Sequence, residues 1–199
     1  MNRLLAVTAV AALLLTGCAD QGDGPATGRG GSHAASVPAD AGPLLAKYRL
    51  TGKTAVEIID HLDRLPVAER PADLKASVRP DSLVISSGAR EFRLGIPTDR
   101  FYLSVAPYLS RTHDCFYHSL TTCAGELTGT EVGVKVGDGP SGRVLVDEKR
   151  TTFANGFVGI WLPRDIRGTL LVTSGGKVGE TAIATDEHAP TCLTTVRLT

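Results

Sequence analysis

The sequence predicts an α+β protein: a small helical and β N-terminal region followed by a β-sandwich-like domain that carries a cysteine site. Three observations lead there. Thr54–Leu65 has apolar residues at helical spacing, most of the chain after Ser82 alternates with a period of two, and 22 glycines and 11 prolines punctuate a chain rich in Val and Thr. A chain of 199 residues with 42% hydrophobic content can bury a real core. Its 21 basic and 21 acidic residues cancel, with no long run of either sign, so electrostatics offers no case for nucleic-acid binding.

The first segment belongs to processing rather than to the fold. Met1-Asn2-Arg3 is a short positive start, Leu4 to Leu15 an apolar run too short to span a bilayer comfortably, and Leu15-Thr16-Gly17-Cys18 a small-residue cleavage site ending in cysteine. This resembles a bacterial lipoprotein signal over residues 1–17. The resemblance implies that Cys18 carries lipid and anchors the mature protein to the membrane, outside the cytoplasm; an ordinary secretory peptide or a membrane helix is the alternative. Residues 18–42 follow as a lipidated flexible tether, rich in Gly, Ala, Ser, Asp and Pro, in which His33 is read as solvated.

Residues 43–100 form the expected α/β N-terminal region. Val56, Ile59 and Leu62, or Ile58, Leu62 and Leu65, share a face, and Thr54 followed by Glu57 is a capping box, which predicts a helix over 54–65. Pro66 and Pro71 interrupt it and leave room for only a short second helix. His61, between Asp60 and Asp63, is placed on a wet face. SLVISS and EFRLGI then read as strands, with a hairpin turn at Ser87-Gly88.

Residues 101–199 form the expected β-rich domain. FYLSVAPYL is a strand ending near Pro107, and EVGVKV, GRVLVDEK, FVGIWL, GTLLVTS, ETAIAT and CLTTVRL follow, separated by Gly, Pro, Asp and Asn turns at sandwich spacing. Trp161 and Phe157 read as packing residues.

The chemistry concentrates in THDCFYHSLTTC, Thr112–Cys123, on the loop leaving the FYLSVAPYL strand. Cys115 and Cys123 flank seven residues, His113 and His118 bracket Cys115, and Cys192 opens the last strand after Pro190 and Thr191. With Cys18 acylated, three thiols remain, and an odd number cannot all pair within one exported chain. Soft thiolates select copper(I), zinc or iron–sulfur clusters, and imidazole suits zinc and copper. Three thiolates suit copper(I); with His118 or His113 added they make the Cys₃His set that zinc takes as a tetrahedron. On an extended backbone His113 shares a face with Cys115, whereas His118 does so only across a helical turn. His188 is a weaker candidate. The residues also admit a Cys115–Cys123 disulfide with Cys192 left as a buried spare, a redox role, or a cysteine hydrolase built from Cys115, His118 and Asp114. The chain has no CxxC, which disfavours a thioredoxin-like role.

DCFYHSLTTCAGEL, GFVGIWLPRD and PTCLTTVRL, with the approach FYLSVAPYLSRTH, resemble the CueP family of exported bacterial copper-binding proteins implicated in copper resistance. The resemblance implies that Cys115, Cys123 and Cys192 handle copper. It further implies that two copies pair through the N-terminal region, that the thiols reduce copper(II) to copper(I) while binding it, and that a copper-accepting protein is a partner. Cys18 and the tether depart from a freely soluble periplasmic member.

Overall fold

A computed structural model describes residues 41–199. The expected signal segment, Cys18 as the expected lipidation residue, His33 and nearly all of the expected tether lie outside the described residues.

The described chain runs through two helices, α1 (Gly42–Lys47) and α2 (Ala55–Asp63), a 3₁₀ turn (Val67–Glu69) and ten strands. Local chemistry fixes α2. The Thr54 side chain accepts from the Glu57 amide at 3.3 Å while the Glu57 carboxylate accepts from the Thr54 amide at 2.7 Å, closing the capping box on the first turn. Ala55, Ile58, Ile59, Leu62 and Asp63 form its buried stripe at i, i+3, i+4, i+7 and i+8 spacing. Each large aliphatic on that stripe contributes about 1.5–3 kcal/mol by leaving water. His61 is exposed, as expected, but Asp63 is fully buried. The wet-face reading therefore fails for Asp63, which shares the apolar side with Ile59 four residues earlier.

The strands β1 (Lys75–Val78), β2 (Ser82–Ser87) and β3 (Arg90–Gly95) make an antiparallel sheet in the order β1-β2-β3. The β2–β3 hairpin turns at Gly88, whose φ of 59° suits a residue without a Cβ. The helices α1 and α2 pack with this sheet around Leu45, Ile58, Leu83 and Ile85. Strand β1 is an addition to the sequence expectation, since four residues are too short to show alternation.

The remaining strands build the sandwich. β4 (Arg100–Val105), β7 (Val158–Pro163) and the short β10 (Cys192–Leu193) form one sheet in the order β10-β4-β7, with β10 parallel to β4. β5 (Glu131–Asp138), β6 (Val144–Thr151), β8 (Arg167–Ser174) and β9 (Lys177–Ala184) form the other, in the order β6-β5-β8-β9, antiparallel throughout. Inward residues of both sheets, among them Phe101, Leu103, Ile160, Val134 and Val172, make the core between them. Of CLTTVRL, only Cys192 and Leu193 pair as strand; after them a single bridge joins Tyr108 to Arg197.

β4 is buried on both faces. Phe101, Leu103 and Val105 enter the sandwich core, while Tyr102 turns the other way, into the core shared with the helices. Tyr102 meets Trp161 of β7 at 4.7 Å between ring centroids, and the Trp161 indole N–H donates to Asp60 at 3.0 Å. Both Trp161 and Phe157 thus pack as the sequence suggested. The cysteine loop starts where β4 ends, beside the last turn of α2.

Candidate metal centre

The loop that leaves β4 is tied down at several points. The Glu126 carboxylate accepts from the amides of Leu109, Ser110 and Arg111 at 2.7, 2.9 and 3.2 Å and from the Ser110 hydroxyl at 2.5 Å. These bonds hold the Glu126 carboxyl down at about 2, so it stays ionised in all but strong acid. Farther on, Val78 N–H donates to His118 O and Leu120 N–H to Ala76 O, each at 2.8 Å, so the loop extends the edge of β1. Thr191 closes the other side. Its hydroxyl accepts from the His118 amide at 3.0 Å and donates to Val78 O at 2.7 Å, while Phe116 O accepts from the amides of Thr191 and Cys192. Residue 192 is thereby carried to the loop at 115–123.

All three sulfurs converge. Cys115 and Cys192 form a disulfide, and the Cys123 sulfur is a free thiol 3.5 Å from that of Cys115. The pairing differs from the Cys115–Cys123 bridge that the sequence spacing allows: strand β10 beside β4 puts the late cysteine next to the early one. Cys192 and Cys123 are buried, and Cys115 is half-buried. Ala106 and Phe157 pack around them.

Each sequence-nominated histidine has its own place. His118 is fully buried, with Nδ1 3.7 Å from the Cys192 sulfur and its ring 4.6 Å from that of Phe157. His113 is not buried and sets its edge against Phe157 from the outer side, at 6.2 Å. Two groups of ligand atoms fall within 4.8 Å of one another: His118, Cys123 and Cys192 inside, and His113, Cys115 and Cys123 outside. His188 is exposed beside Glu187 and belongs to neither group. Asp114 is exposed as well, which removes it from any buried triad with His118.

Behind His118 stands a carboxylate the sequence reading placed in water. Asp63 Oδ1 lies 2.8 Å from His118 Nε2 and accepts from Asn155 Nδ2 at 2.8 Å; its Oδ2 accepts from the Tyr102 hydroxyl at 2.6 Å and the Ser104 hydroxyl at 3.3 Å. Asn155 also donates to the Asp63 backbone carbonyl at 3.0 Å and accepts from the Phe157 amide at 2.9 Å. Burial disfavours charge on both partners, yet the pair overcomes it. The Asp63 carboxyl is lowered by His118 and its hydrogen-bond donors, and the His118 imidazole is raised to about 9 by the charge and hydrogen bond of Asp63 and by Cys123. Burial likewise opposes ionisation of Cys123, but the His118 contact and the Ser119 amide, 3.3 Å from its sulfur, bring the thiol below its ordinary value. Arg70, just after the 3₁₀ turn, donates to the Cys123 carbonyl at 2.7 Å.

The donor set suits a soft cation. Thiolates and one imidazole lie within reach of a single ion, and the carboxylate behind that imidazole fixes its ring as outer partners of metal-bound histidines do. Asp63, Asn155, Tyr102 and Arg70 escaped the sequence reading; for Asp63 one signal was present, an acid on the apolar stripe of a helix, which calls for a buried partner.

The family model described as periplasmic copper-binding protein CueP matches residues 57–197. A solved structure titled "Crystal Structure of S.CueP" is similar to this chain at 40% sequence identity with a TM-score of 0.76, covering 82% of this chain and 100% of that one. No curated protein matches. The matched span takes in most of α2, both cysteine segments and every residue of the Asp63 network, and the chain belongs to the CueP family of periplasmic copper-binding proteins.

Proposed function

We propose that this chain is an exported, lipid-anchored member that sequesters copper as copper(I) through Cys115, Cys123 and Cys192, with His118 as the nitrogen donor, contributing to copper resistance. The observation that carries the reading is the convergence of three sulfurs and a carboxylate-braced imidazole in one largely buried cluster. Copper(I) has a closed d shell and accepts the low coordination number that three thiolates offer; a buried site also keeps oxidants and water from it. The Leu15–Cys18 motif supports lipid attachment, and the resemblance of the chain to its family supports pairing of two copies and a copper-accepting protein partner.

The same thiols have the electrons to reduce copper(II). Two thiolates each give one electron to a cupric ion; two cuprous ions form, one S–S bond is made, and the thiol protons go to solvent. The Cys115–Cys192 pairing matches the product of that step and leaves Cys123 beside His118 for a cuprous ion. An external dithiol must then reopen the disulfide. That pairing also favours a second reading, a thiol–disulfide redox protein, which predicts turnover of a disulfide substrate in metal-free buffer. Zinc in a Cys₃His set is the remaining alternative, for which His118→Ala abolishes zinc retention while sparing copper(I).

Anaerobic titration of the reduced protein with copper(I) against a competing chelator tests the main reading. Tight one-to-one binding, strongly weakened by Cys192→Ser, is expected. Unchanged affinity in that variant would remove the three-thiol site.

A further inference from the structure

The cluster contains two ligand groups rather than one, and they differ in access. His118, Cys123 and Cys192 are buried, whereas His113 and Cys115 are not. Cys123 belongs to both groups. A cavity of about 480 Å³ opens on the outer side, lined by His113 together with Thr122 and Ala124, the residues on either side of Cys123. His118 by contrast is fully buried, its ring packed against Phe157 and bonded to Asp63.

We infer that His113, Cys115 and Cys123 form an outer acquisition site, at which a copper(I) ion arriving through this cavity is first held before Cys192 and His118 displace His113 and leave the ion on the three sulfurs and His118. This rests on the copper reading of the site. The chemistry follows from the geometry: a cuprous ion cannot be released bare into a protein interior, so it moves by gaining one donor before losing another. A sulfur common to both groups, with all donor atoms of each group within 4.8 Å, allows that without a free intermediate. His113 supplies the donor on the solvent side and Cys192 the donor on the buried side. The step transfers no electrons; the disulfide must already be reduced so that Cys115 and Cys192 are both thiolates.

His113 therefore controls how fast copper loads and not how tightly it is finally held. The experiment uses reduced full-length protein under anaerobic conditions, with copper(I) presented as a chelator complex and transfer followed by stopped-flow absorbance, alongside an equilibrium competition. His113→Phe keeps an aromatic edge against Phe157 but has no metal donor, and His113→Cys restores a soft donor. The expected result is transfer at least about tenfold slower in H113F, the equivalent of one lost donor contact in the barrier, rescue in H113C, and equilibrium affinity in both within about threefold of the parent. Equal transfer rates in parent and H113F overturn the acquisition site. A parallel loss of rate and affinity also overturns it, because His113 would then be a ligand of the final site. Failure of the parent protein to bind copper(I) at all is a different outcome, which removes the copper reading itself.

Discussion

Replacing Asp63 by Asn tests whether the buried carboxylate controls the site. The substitution keeps the shape and one acceptor oxygen for Asn155, places an amide NH2 beside the Tyr102 and Ser104 hydroxyls, which can turn to accept from it, and removes the charge facing His118. A rise of the His118 pKa from 6.5 to about 9 corresponds to about 3 kcal/mol of preference for the imidazolium in the folded state. Removing one partner of a buried ion pair costs about 3–5 kcal/mol, the same order. The sign fixes where the effect is seen. Because the folded His118 value is raised, its contribution is fully present below 6.5 and is lost as pH rises through about 9. The lowered Asp63 value contributes above 3.8 and is lost as pH falls through its depressed value. Urea unfolding of the reduced, metal-free protein should therefore show D63N less stable by about 3 kcal/mol near pH 6, with the gap closing as pH rises from 6.5 to about 9. Histidine NMR should show the His118 titration falling well below about 9 in D63N, since burial is then opposed by the Cys123 contact alone. A gap under about 0.5 kcal/mol, or one independent of pH, would refute the reasoning.

Three further outcomes follow. In Gly156→Ala, a Cβ would come 2.6 Å from the Gly125 backbone at a φ of 80°, so the Cys123–Gly125 segment must move off the Asn155–Phe157 turn; thermal unfolding should show a loss of about 1–3 kcal/mol. Glu126→Gln removes the charge that gathers the amides of Leu109, Ser110 and Arg111; hydrogen exchange at those amides should quicken by about tenfold at neutral pH, and an unchanged rate would show that the clamp is not holding the loop. Cys18→Ser should move the protein expressed in a bacterial host from the detergent phase to the aqueous phase in a Triton X-114 partition; equal partition of parent and variant would show that lipid is not attached there.

Local signals were legible and long-range ones were not. The helix α2 is written in a cap of two residues and a stripe of five, and most strands of the sandwich show their alternation within six or eight positions. The cysteine loop could be recognised as a site because thiols and imidazoles are rare and lie close in sequence. Its inner structure could not. Whether Cys115 meets Cys123 or Cys192 depends on β10 lying parallel to β4, a long-range contact that brings together cysteines 77 residues apart and for which no local pattern exists. Choosing between His113 and His118 required the backbone of the loop, which pairs with β1 and Thr191 rather than following a regular period. Asp63 was misplaced for the opposite reason: its neighbours Asp60 and His61 suggested solvent, while its spacing from Ile59 pointed inward. Spacing prevailed because Tyr102, Asn155 and His118, all distant in sequence, supply the donors that make burial of a carboxylate tolerable.

X-ray absorption at the copper edge, on reduced protein loaded anaerobically with one equivalent of copper(I), reads the sulfur count directly. Three sulfur neighbours in the parent protein and two in Cys192→Ser are predicted; a shell of nitrogen and oxygen alone, or identical shells in the two proteins, would contradict the account.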